Sequence, residues 1–537
     1  MITVTELGLS FGSDTLFKGA NLLFTAGNCY GVIGANGAGK STFLRILSGE
    51  LEPTTGTVSY DPKLRMSVLK QDHFAFDDYG VSDTVIMGNK RLYEIMTEKD
   101  ALYLKEDFSD EDGERASVLE GEFAELGGWE AESDAAKLLR GLGLDDSIMS
   151  EQMSSLGGND KVKILLAQAL FGKPDIILLD EPTNHLDIDS VAWLEDFLAE
   201  YFGTVIVVSH DRHFLNNVCT HIVDIDYGRI KMYIGNYEFW YESSQLVQRL
   251  LKQQNKRAED KIKELEAFIR RFSANKSKSR QATSRKKLIE KITPDEMPSS
   301  SRKYPFIGFE QEREAGKDIL EVNSLSKEID GVNVLKNLTF TVNRGDKIAF
   351  VAPTEIHATT LFKIISDEMK QDSGTFKWGQ TISVSYFPLD SNSFFENCDL
   401  NIIDWVKQYS KDETETYLRG FLGRMLFSGD EVYKSVKVLS GGEKVRCMFS
   451  RMMLYSSNLL ILDHPTNHLD LESITAVNNG IRDFKGTVLF TSHDREIVGT
   501  AANRIIELTE DGCLDYSGNY EEYLEWRKSQ ELGSVIL

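Results

Sequence analysis

The sequence predicts an α/β protein that contains two copies of one domain, joined by a charged helical segment. Its 537 residues are too many for one hydrophobic core, and 41% hydrophobic residues is ordinary for a folded chain. Short apolar runs alternate with helical patterns, as expected for a β-sheet covered by helices. Several long segments also occur twice, which indicates an internal duplication.

The repeated segments are separated by two different distances. LLDEPTNHLDIDS at 178–190 recurs as ILDHPTNHLDLES at 461–473, which is 283 residues later. GANGAGKSTFLRIL at 34–47 corresponds to APTEIHATTLFKII at 352–365, which is 318 residues later. The first copy therefore carries 318 minus 283, or 35, extra residues. We place them in an acidic insertion at about 88–134.

The duplication divides the chain into three predicted parts, namely a first copy at 1–240, a linker at 241–317 and a second copy at 318–537. In each copy the apolar runs IILLD and VIVV, or LLILD and TVLF, predict buried strands, and STFLRILSG opens a helix. Apolar residues recur three or four positions apart over about 240–273, which predicts one long amphipathic helix. A second helix is expected from near Thr283 to before Pro294.

Charge is unevenly distributed along the chain. The net charge is -24, which argues against a nucleic-acid-binding surface over the whole protein. Residues 249–291, however, hold fifteen Lys or Arg against five Asp or Glu. No apolar run approaches the roughly 18 residues of a membrane helix, and the N-terminus does not resemble a secretory signal. We therefore expect a soluble cytoplasmic protein whose linker is locally basic.

A glycine-rich loop after the apolar run NCYGVI fits the pattern GxxxxGK[ST]. Its glycines allow successive backbone N–H groups to turn toward phosphate, while Lys40 would reach the β- and γ-oxygens and Ser41 would hold Mg²⁺. The predicted nucleotide-binding residues of this loop are Gly34, Ala35, Asn36, Gly37, Ala38, Gly39, Lys40, Ser41 and Thr42.

Two acidic residues end a predicted strand of the first copy. Asp180 would hold Mg²⁺ through water, and Glu181 would orient or activate the attacking water. His210 follows the next predicted strand and could contact the γ-phosphate; the alternative is a buried core histidine. These residue types predict hydrolysis of a nucleoside triphosphate.

A second anion site is predicted at the start of a helical pattern in the second copy. Ser440, Gly441, Gly442 and Glu443 offer a hydroxyl, backbone N–H groups and the positive end of a helix dipole. The same residues alone could form an ordinary helix N-cap. Their position shortly before the second acidic strand favours the functional interpretation.

The order GANGAGKST, Gln71, LSGGE, LLDEPTNHLD and SHD resembles the ATP-binding cassette (ABC) ATPases. Two cassettes, no membrane part and a charged linker resemble the ABC-F family of ribosome-associated ATPases, in particular its bacterial YbiT-like branch. The resemblance implies two P-loop domains that use ATP and Mg²⁺ and close head to tail, each nucleotide lying between one phosphate loop and the other cassette's signature. It also implies that Phe11 stacks on adenine and that Gln71 acts in Mg²⁺ binding and catalysis.

The second cassette has lost the chemistry of the first. Four residues that act in the first cassette align with residues of a different kind, namely Phe11 with Ile329, Lys40 with Ala358, Gln71 with Leu389 and Glu181 with His464. The signatures show the reverse, because Gly157 replaces the hydroxyl of Ser440 and Asn159 replaces Gly442. Under head-to-tail pairing all losses fall in one composite site. We therefore expect one ATPase site and one site that binds nucleotide weakly or without turnover; the alternative of His464 as a base remains.

The linker carries the predicted contact with RNA. Its basic residues, set among Ser, Asn, Gln and Thr, are Lys276, Lys278, Arg280, Arg285, Lys286 and Lys287. The resemblance implies that they enter the exit site of the large ribosomal subunit and approach the peptidyl-site tRNA, with the protein a monomer whose two cassettes pair. A hairpin that only tethers the cassettes, an ATPase subunit of a membrane transporter and a non-catalytic nucleotide-gated scaffold are the alternatives.

Overall fold

The computed structural model describes the chain except for residues 13, 70, 71, 73, 106, 185, 273–301, 330, 397, 468, 510, 536 and 537. Gln71, the six basic linker residues and the predicted second linker helix therefore lie outside the described residues. In the parts of the chain that are described, no helix has the length and apolarity needed to cross a membrane.

The first copy contains nine strands and eight α-helices among its described residues. The strands are β1 Ile2–Phe11, β2 Asp14–Phe24, β3 Asn28–Gly34, β4 Thr55–Tyr60, β5 Met66–Val68, β6 Ile176–Asp180, β7 Thr204–Val208, β8 His221–Asp226 and β9 Arg229–Ile234. The helices are α1 Lys40–Leu47, α2 Val81–Ile86, α3 Lys90–Tyr103, α4 Asp110–Glu125, α5 Ala131–Gly141, α6 Gly158–Leu170, α7 Ile188–Ala199 and α8 Arg212–Val218.

The first copy is built on two sheets. The larger sheet has the strand order β5-β6-β7-β3-β8-β9, in which every neighbouring pair is parallel except β8 and β9. A smaller antiparallel sheet has the order β2-β1-β4. Strands β3, β6 and β7 are buried almost throughout, which explains their continuous apolar sequences. Their carboxyl ends meet at one sheet edge, where parallel α/β proteins bind ligands.

The second copy repeats this architecture. Its strands are β10 Asp318–Ile329, β11 Val332–Asn343, β12 Lys347–Val351, β13 Ser373–Trp378, β14 Val384–Phe387, β15 Leu459–Asp463, β16 Thr487–Thr491, β17 Arg504–Thr509 and β18 Gly512–Ser517. The sheets have the orders β14-β15-β16-β12-β17-β18 and β11-β10-β13, matching the first copy strand for strand. The predicted α/β duplication is therefore confirmed.

Helices of the second copy and of the linker complete the molecule. They are α9 Tyr237–Phe272, α10 Glu355–Ile365, α11 Ile402–Lys407, α12 Glu415–Arg424, α13 Gly441–Tyr455, α14 Leu471–Asp483, α15 Arg495–Ala501 and α16 Tyr520–Val535. Helix α9 confirms the long linker helix expected over about 240–273, and it begins three residues earlier than predicted.

The acidic insertion is a helical hairpin formed by α3 and α4, which have no counterpart between α11 and α12 of the second copy. Ile95 and Leu119 are completely buried within it. Arg115 donates two hydrogen bonds to Glu98 at 2.7 and 2.8 Å, which joins the two helices at the surface. The ring of Trp129, just after the hairpin, stays 73% exposed.

Arg302 joins the two copies at the end of the linker. Its guanidinium contacts Asp224 of β8 at 2.6 Å and Glu472 of α14 at 2.8 Å, and it lies 4.6 Å from the ring centroid of Trp240 on α9. The side chain of Arg302 is only 11% exposed. One buried cation therefore connects the first copy, the linker helix and the second copy.

A nucleotide site between the two copies

The glycine-rich loop connects β3 to α1. Gly37 and Gly39 have φ values of 81° and 98°, in the left-handed region that favours glycine. A Cβ at Gly34 would lie 2.7 Å from the carbonyl oxygen of Ile225, so this position also requires glycine. The loop therefore adopts a backbone path that presents N–H groups at the start of α1.

Lys40 is positioned by the loop that precedes it. Its Nζ donates hydrogen bonds to the carbonyl oxygens of Gly34 at 2.9 Å and Ala35 at 3.4 Å, and the residue is 8% exposed. Burial lowers the pKa of Lys40, against the opposing charge of Glu181 and, from the second copy, of Asp470. The ammonium is thus held beside the predicted phosphate position by weak neutral partners that phosphate oxygens can replace.

The predicted acids lie at the carboxyl end of β6, beside the end of β7. Asp180 pairs with Val208 across these parallel strands, so the residues that follow both strands are neighbours. The side-chain hydroxyl of Ser41 hydrogen-bonds to Asp180, which joins the two predicted Mg²⁺ ligands. Burial raises the pKa of Asp180 above its usual value. The pair is therefore arranged as expected for a Mg²⁺ site.

Glu181 and His210 contact each other directly. The backbone N–H of His210 donates to Oε2 of Glu181 at 3.2 Å, and Nε2 of the ring lies 3.2 Å from Oε1. Burial raises the pKa of Glu181 to about 8 and lowers the pKa of His210 to about 3. Glu181 also has a positive φ of 52°, a strained conformation that is typical of functional sites.

A cavity of 470 Å³ lies between the two copies. From the first copy it is lined by Asn36, Gly37, Gly39, Lys40, Ser41, Thr42, Asp180, Glu181 and His210 among others. From the second copy it is lined by the loop after β15, through Thr466, Asn467 and Leu469, and by Glu355 and His493. The part played by the second loop was not predicted, although its sequence PTN-L-D repeats directly after the acidic strand in both copies.

The signature residues of the second copy do not line this cavity. Ser440 is exposed at the start of α13, where its hydroxyl accepts from the N–H of Glu443 while Glu443 accepts from the N–H of Ser440. Gly157, at the corresponding start of α6, makes no side-chain cap. The structure therefore brings Lys40, Ser41, Asp180, Glu181 and His210 together around one cavity. The predicted signature residues lie outside the cavity wall.

Two further predicted residues lie at the edge of the site or beyond it. Phe11 ends β1 and is 57% exposed, so its ring is accessible to a ligand but does not line the cavity. Gln71 lies outside the described residues, and its predicted role stays a prediction.

We call the region of the second copy that aligns with the nucleotide site of the first copy the eroded site. A histidine, His464, stands there in place of the glutamate. Ala358 is 1% exposed in place of the lysine, and His464 is 3% exposed in place of the glutamate. His493 contacts Glu355 at 2.9 Å through Nε2, and the rings of His464 and His493 stack with centroids 4.2 Å apart. Burial lowers the pKa of His464 to about 3, so its imidazole is neutral near pH 7.

A phosphate loop, paired acids after a buried parallel strand and a histidine after the next strand, in a domain that occurs twice, define a tandem-cassette ATPase. A family model described as ABC transporter matches the chain twice, at residues 17–184 and 335–467. A second family model with the same description matches residues 223–309.

Similar proteins extend over nearly the whole chain. The ABC transporter ATP-binding protein YkpA of Bacillus subtilis is 62% identical over 98% of this chain and 97% of its own length. The ATP-binding protein YbiT of Escherichia coli O157:H7 is 46% identical over 98% and 99%, and ABC transporter F family member 2 of Arabidopsis thaliana is 31% identical over 98% and 79%. The chain therefore belongs to the ABC ATPases and, among them, to the ABC-F family and its YbiT-like branch.

Solved structures share the fold at low sequence identity. An archaeal ribosome recycling factor, solved in complex with an archaeal ribosomal stalk protein, has a TM-score of 0.62 and 17% identity, covering 98% of this chain and 92% of that chain. A protein described as an RNase-L inhibitor has a TM-score of 0.63, with the same identity and coverage. Both have the tandem arrangement of two cassettes.

Proposed function

We propose that this protein is an ATP-driven clamp that acts on the ribosome as a translation factor and hydrolyses ATP at one composite site. The observation that carries the hydrolytic part is the difference between the two copies. Lys40 and Glu181 line the cavity, whereas the aligned Ala358 and His464 offer neither a cation for phosphate nor a carboxylate for water. Turnover at the second site would lack both groups.

The residues of the first copy fit Mg²⁺ and ATP. When bound, Mg²⁺ supplies positive charge that offsets the charge of the phosphates. Ser41 and Asp180, already joined by a hydrogen bond, would hold the ion. Lys40 would exchange its two carbonyl partners for phosphate oxygens, and Glu181 would orient the attacking water. His210, neutral because burial lowers its pKa, would hold a γ-phosphate oxygen through an N–H.

Closure of the two copies would complete the site. Ser440, Gly441 and Gly442 present a hydroxyl, N–H groups and the start of a 15-residue helix, α13, and all three are absent from the cavity wall. ATP offers the anionic group that this helix start would bind, so ATP would favour a form in which both halves contact one nucleotide. Phe11 and Gln71 would contact adenine and the Mg²⁺ region in that form.

The partner is proposed from the linker and from membership of the ABC-F family. The chain leaves the first copy through the 36-residue helix α9 and continues into the stretch that holds the six basic residues. Closely spaced cations that follow a long helix in the sequence suit the binding of RNA phosphates. We propose that the linker enters the exit site of the large subunit beside the peptidyl-site tRNA. An ATPase subunit of a membrane transporter would leave this basic segment without a role.

The test is co-sedimentation of the Glu181→Gln protein with 70S ribosomes, with and without ATP. This variant should bind ATP and remain closed because the residue that orients water is changed. We expect ATP-dependent retention, and we expect it to fall on the order of tenfold when Lys276, Lys278 and Arg280 are replaced by Gln. Replacing three exposed lysines outside the basic stretch, namely Lys317, Lys370 and Lys377, removes equal charge as a matched control and should leave retention unchanged.

Two results would contradict the proposal. Absence of retention at moderate salt would remove the ribosome as partner, and recovery with membranes instead would favour the transporter subunit. Phosphate release that survives Glu181→Gln but is lost in His464→Gln would reverse the assignment of the sites. A complete lack of phosphate release by the wild-type protein would support a non-catalytic scaffold.

A further inference from the structure

The eroded site of the second copy brings three possible metal ligands together. Glu355 is the first residue of α10 and aligns with Gly37 of the phosphate loop, His464 follows β15, and His493 follows β16. In the first copy the corresponding residues, Gly37, Glu181 and His210, line the proposed nucleotide cavity. The fold therefore directs three side chains toward one point, of which Glu355 and His464 differ from the first copy and His493 matches His210.

The donor atoms of these residues lie close to one another. One imidazole nitrogen of each histidine and one carboxylate oxygen of Glu355 all lie within 4.8 Å of each other. Nε2 of His493 and Oε1 of Glu355 are 2.9 Å apart. Ligands of a tetrahedral ion at about 2.0 Å are separated by about 3.3 Å, so side-chain rotations of about 1–2 Å at the donor atoms would close the set.

His464 is the residue whose surroundings require an additional partner. It is 3% exposed, and neither ring nitrogen has a hydrogen-bond partner among the described residues. Its backbone is fixed, since its N–H donates to the carbonyl of Thr491 at 3.1 Å. A buried polar side chain without partners carries an uncompensated cost of desolvation. A group that accepts a nitrogen lone pair would remove that cost.

The charge of the pocket favours a cation over a phosphate. The lysine of the first copy is replaced by Ala358, and Glu355 brings a carboxylate to a position where the first copy has glycine. The charges at these positions thus favour an anionic phosphate in the first copy and a cation in the second copy. Glu355 and His493 also line the central cavity, which gives an ion a route of entry.

We propose that Glu355, His464 and His493 bind one divalent transition-metal ion, with Zn²⁺ the best fit. Two imidazole nitrogens and one carboxylate oxygen are a donor set that Zn²⁺ takes, with a fourth position open to water. Mg²⁺ prefers oxygen ligands and is a poorer match. The ion would occupy the site of the second copy in place of a nucleotide, and its binding does not depend on the proposed ribosome binding.

The test is metal titration of the full-length protein after removal of metals by a chelator. Co²⁺ reports its own coordination through visible absorption bands, and Zn²⁺ is then added to displace it. We expect one ion per chain and a tetrahedral type of Co²⁺ spectrum. His464→Gln, and separately Glu355→Gln, should weaken binding by about 10- to 100-fold.

Matched controls separate this site from others in the chain. His221→Gln removes a histidine that is hydrogen-bonded to Thr220 in the first copy, and Glu181→Gln changes the Mg²⁺ region; both should bind the ion as the wild type does. Glu355 is at a partly exposed position, so its variant remains informative if His464→Gln fails to fold. Wild-type affinity in the Glu355 and His464 variants, or no Co²⁺ binding below about 1 mM, would overturn the proposal.

Discussion

The residue that follows the acidic strand distinguishes the two copies. Glu181 and His464 share the same left-handed backbone conformation, with φ values of 52° and 48°. Both are held at the carboxyl end of a buried parallel strand. The backbone conformation is therefore the same in both copies, and only the side chain differs between the proposed water-orienting carboxylate and the imidazole.

The raised pKa of Glu181 predicts that the stability of the folded protein depends on pH. Burial raises its pKa to about 8, from a usual value near 4.5, so the folded protein keeps a proton that the unfolded chain releases between about pH 4.5 and 8. Stability from this group therefore falls as the pH rises through that window. In nucleotide-free protein we expect Glu181→Gln to raise the Tm at pH 8, where it raises the free energy of unfolding by on the order of 1 kcal/mol or more. The same substitution should change the Tm less at pH 5.

Glu195 provides a control of opposite sign. Against its burial, hydrogen bonds from His213 and Asn217 lower the pKa of Glu195. Glu195→Gln should therefore lower the Tm most at pH values above about 4.5, where the carboxylate contributes. Thermal melts of both variants from pH 5 to 8 decide the matter. A gain for Glu181→Gln that is as large at pH 5 as at pH 8 would show that its carboxyl is ionised in the folded state.

Two helices of the protein begin with the same kind of serine cap, and only one of these caps has a proposed functional role. Ser440 begins α13 and Ser109 begins α4 of the acidic hairpin, and each forms a reciprocal capping box with the third residue of its helix. The two caps are equivalent for helix stability. Only the cap at Ser440 also carries a predicted contact with nucleotide.

Paired substitution of the two serines tests that difference. Ser109→Ala and Ser440→Ala should each lower the free energy of unfolding by about 1 kcal/mol, because one N-terminal N–H loses its acceptor. Only Ser440→Ala should also slow ATP turnover, on the order of 100-fold, since it removes a donor to the transferring phosphate. Urea unfolding and phosphate release measured on the same preparations suffice. Equal turnover in both variants would remove Ser440 from the site.

The fold, and the cavity residues that belong to the first copy, could be predicted from local sequence patterns. The acids after β6 and His210 after β7 were predicted from the residue types that follow two apolar runs. The structure adds that these strands are adjacent and parallel, which brings their carboxyl ends together. The contribution of Thr466 and Leu469 to the cavity depends on how the two copies face each other, which no local pattern encodes. Glu355 and His464 could be aligned with Gly37 and Glu181, but each substitution alone indicates only a loss.

At the scale of the whole molecule, buried charges connect the copies. Arg302 pairs with Asp224 and Glu472, and Arg212 of α8 contacts Glu496 of α15 at 3.1 Å. Arg212 also donates to the carbonyl oxygen of Leu471 at 3.2 Å. These contacts place the start of α14 beside the first copy, close to the loop that lines the nucleotide cavity. Glu472 at the start of α14 and Arg302 therefore connect this region to the base of the linker.

Arg302→Ala should destabilise the protein strongly. It would leave the buried carboxylates of Asp224 and Glu472 without their cation, which costs about 3–5 kcal/mol. Arg302→Lys keeps the charge but loses the planar fork, so an intermediate loss is expected. Arg344→Ala breaks an exposed pair with Glu314, whose side chains are 52% and 71% exposed, and should cost less than about 1 kcal/mol. Urea unfolding at pH 7.5 measures all three, and a loss for Arg302→Ala no larger than that for Arg344→Ala would mean that this buried junction does not hold the copies together.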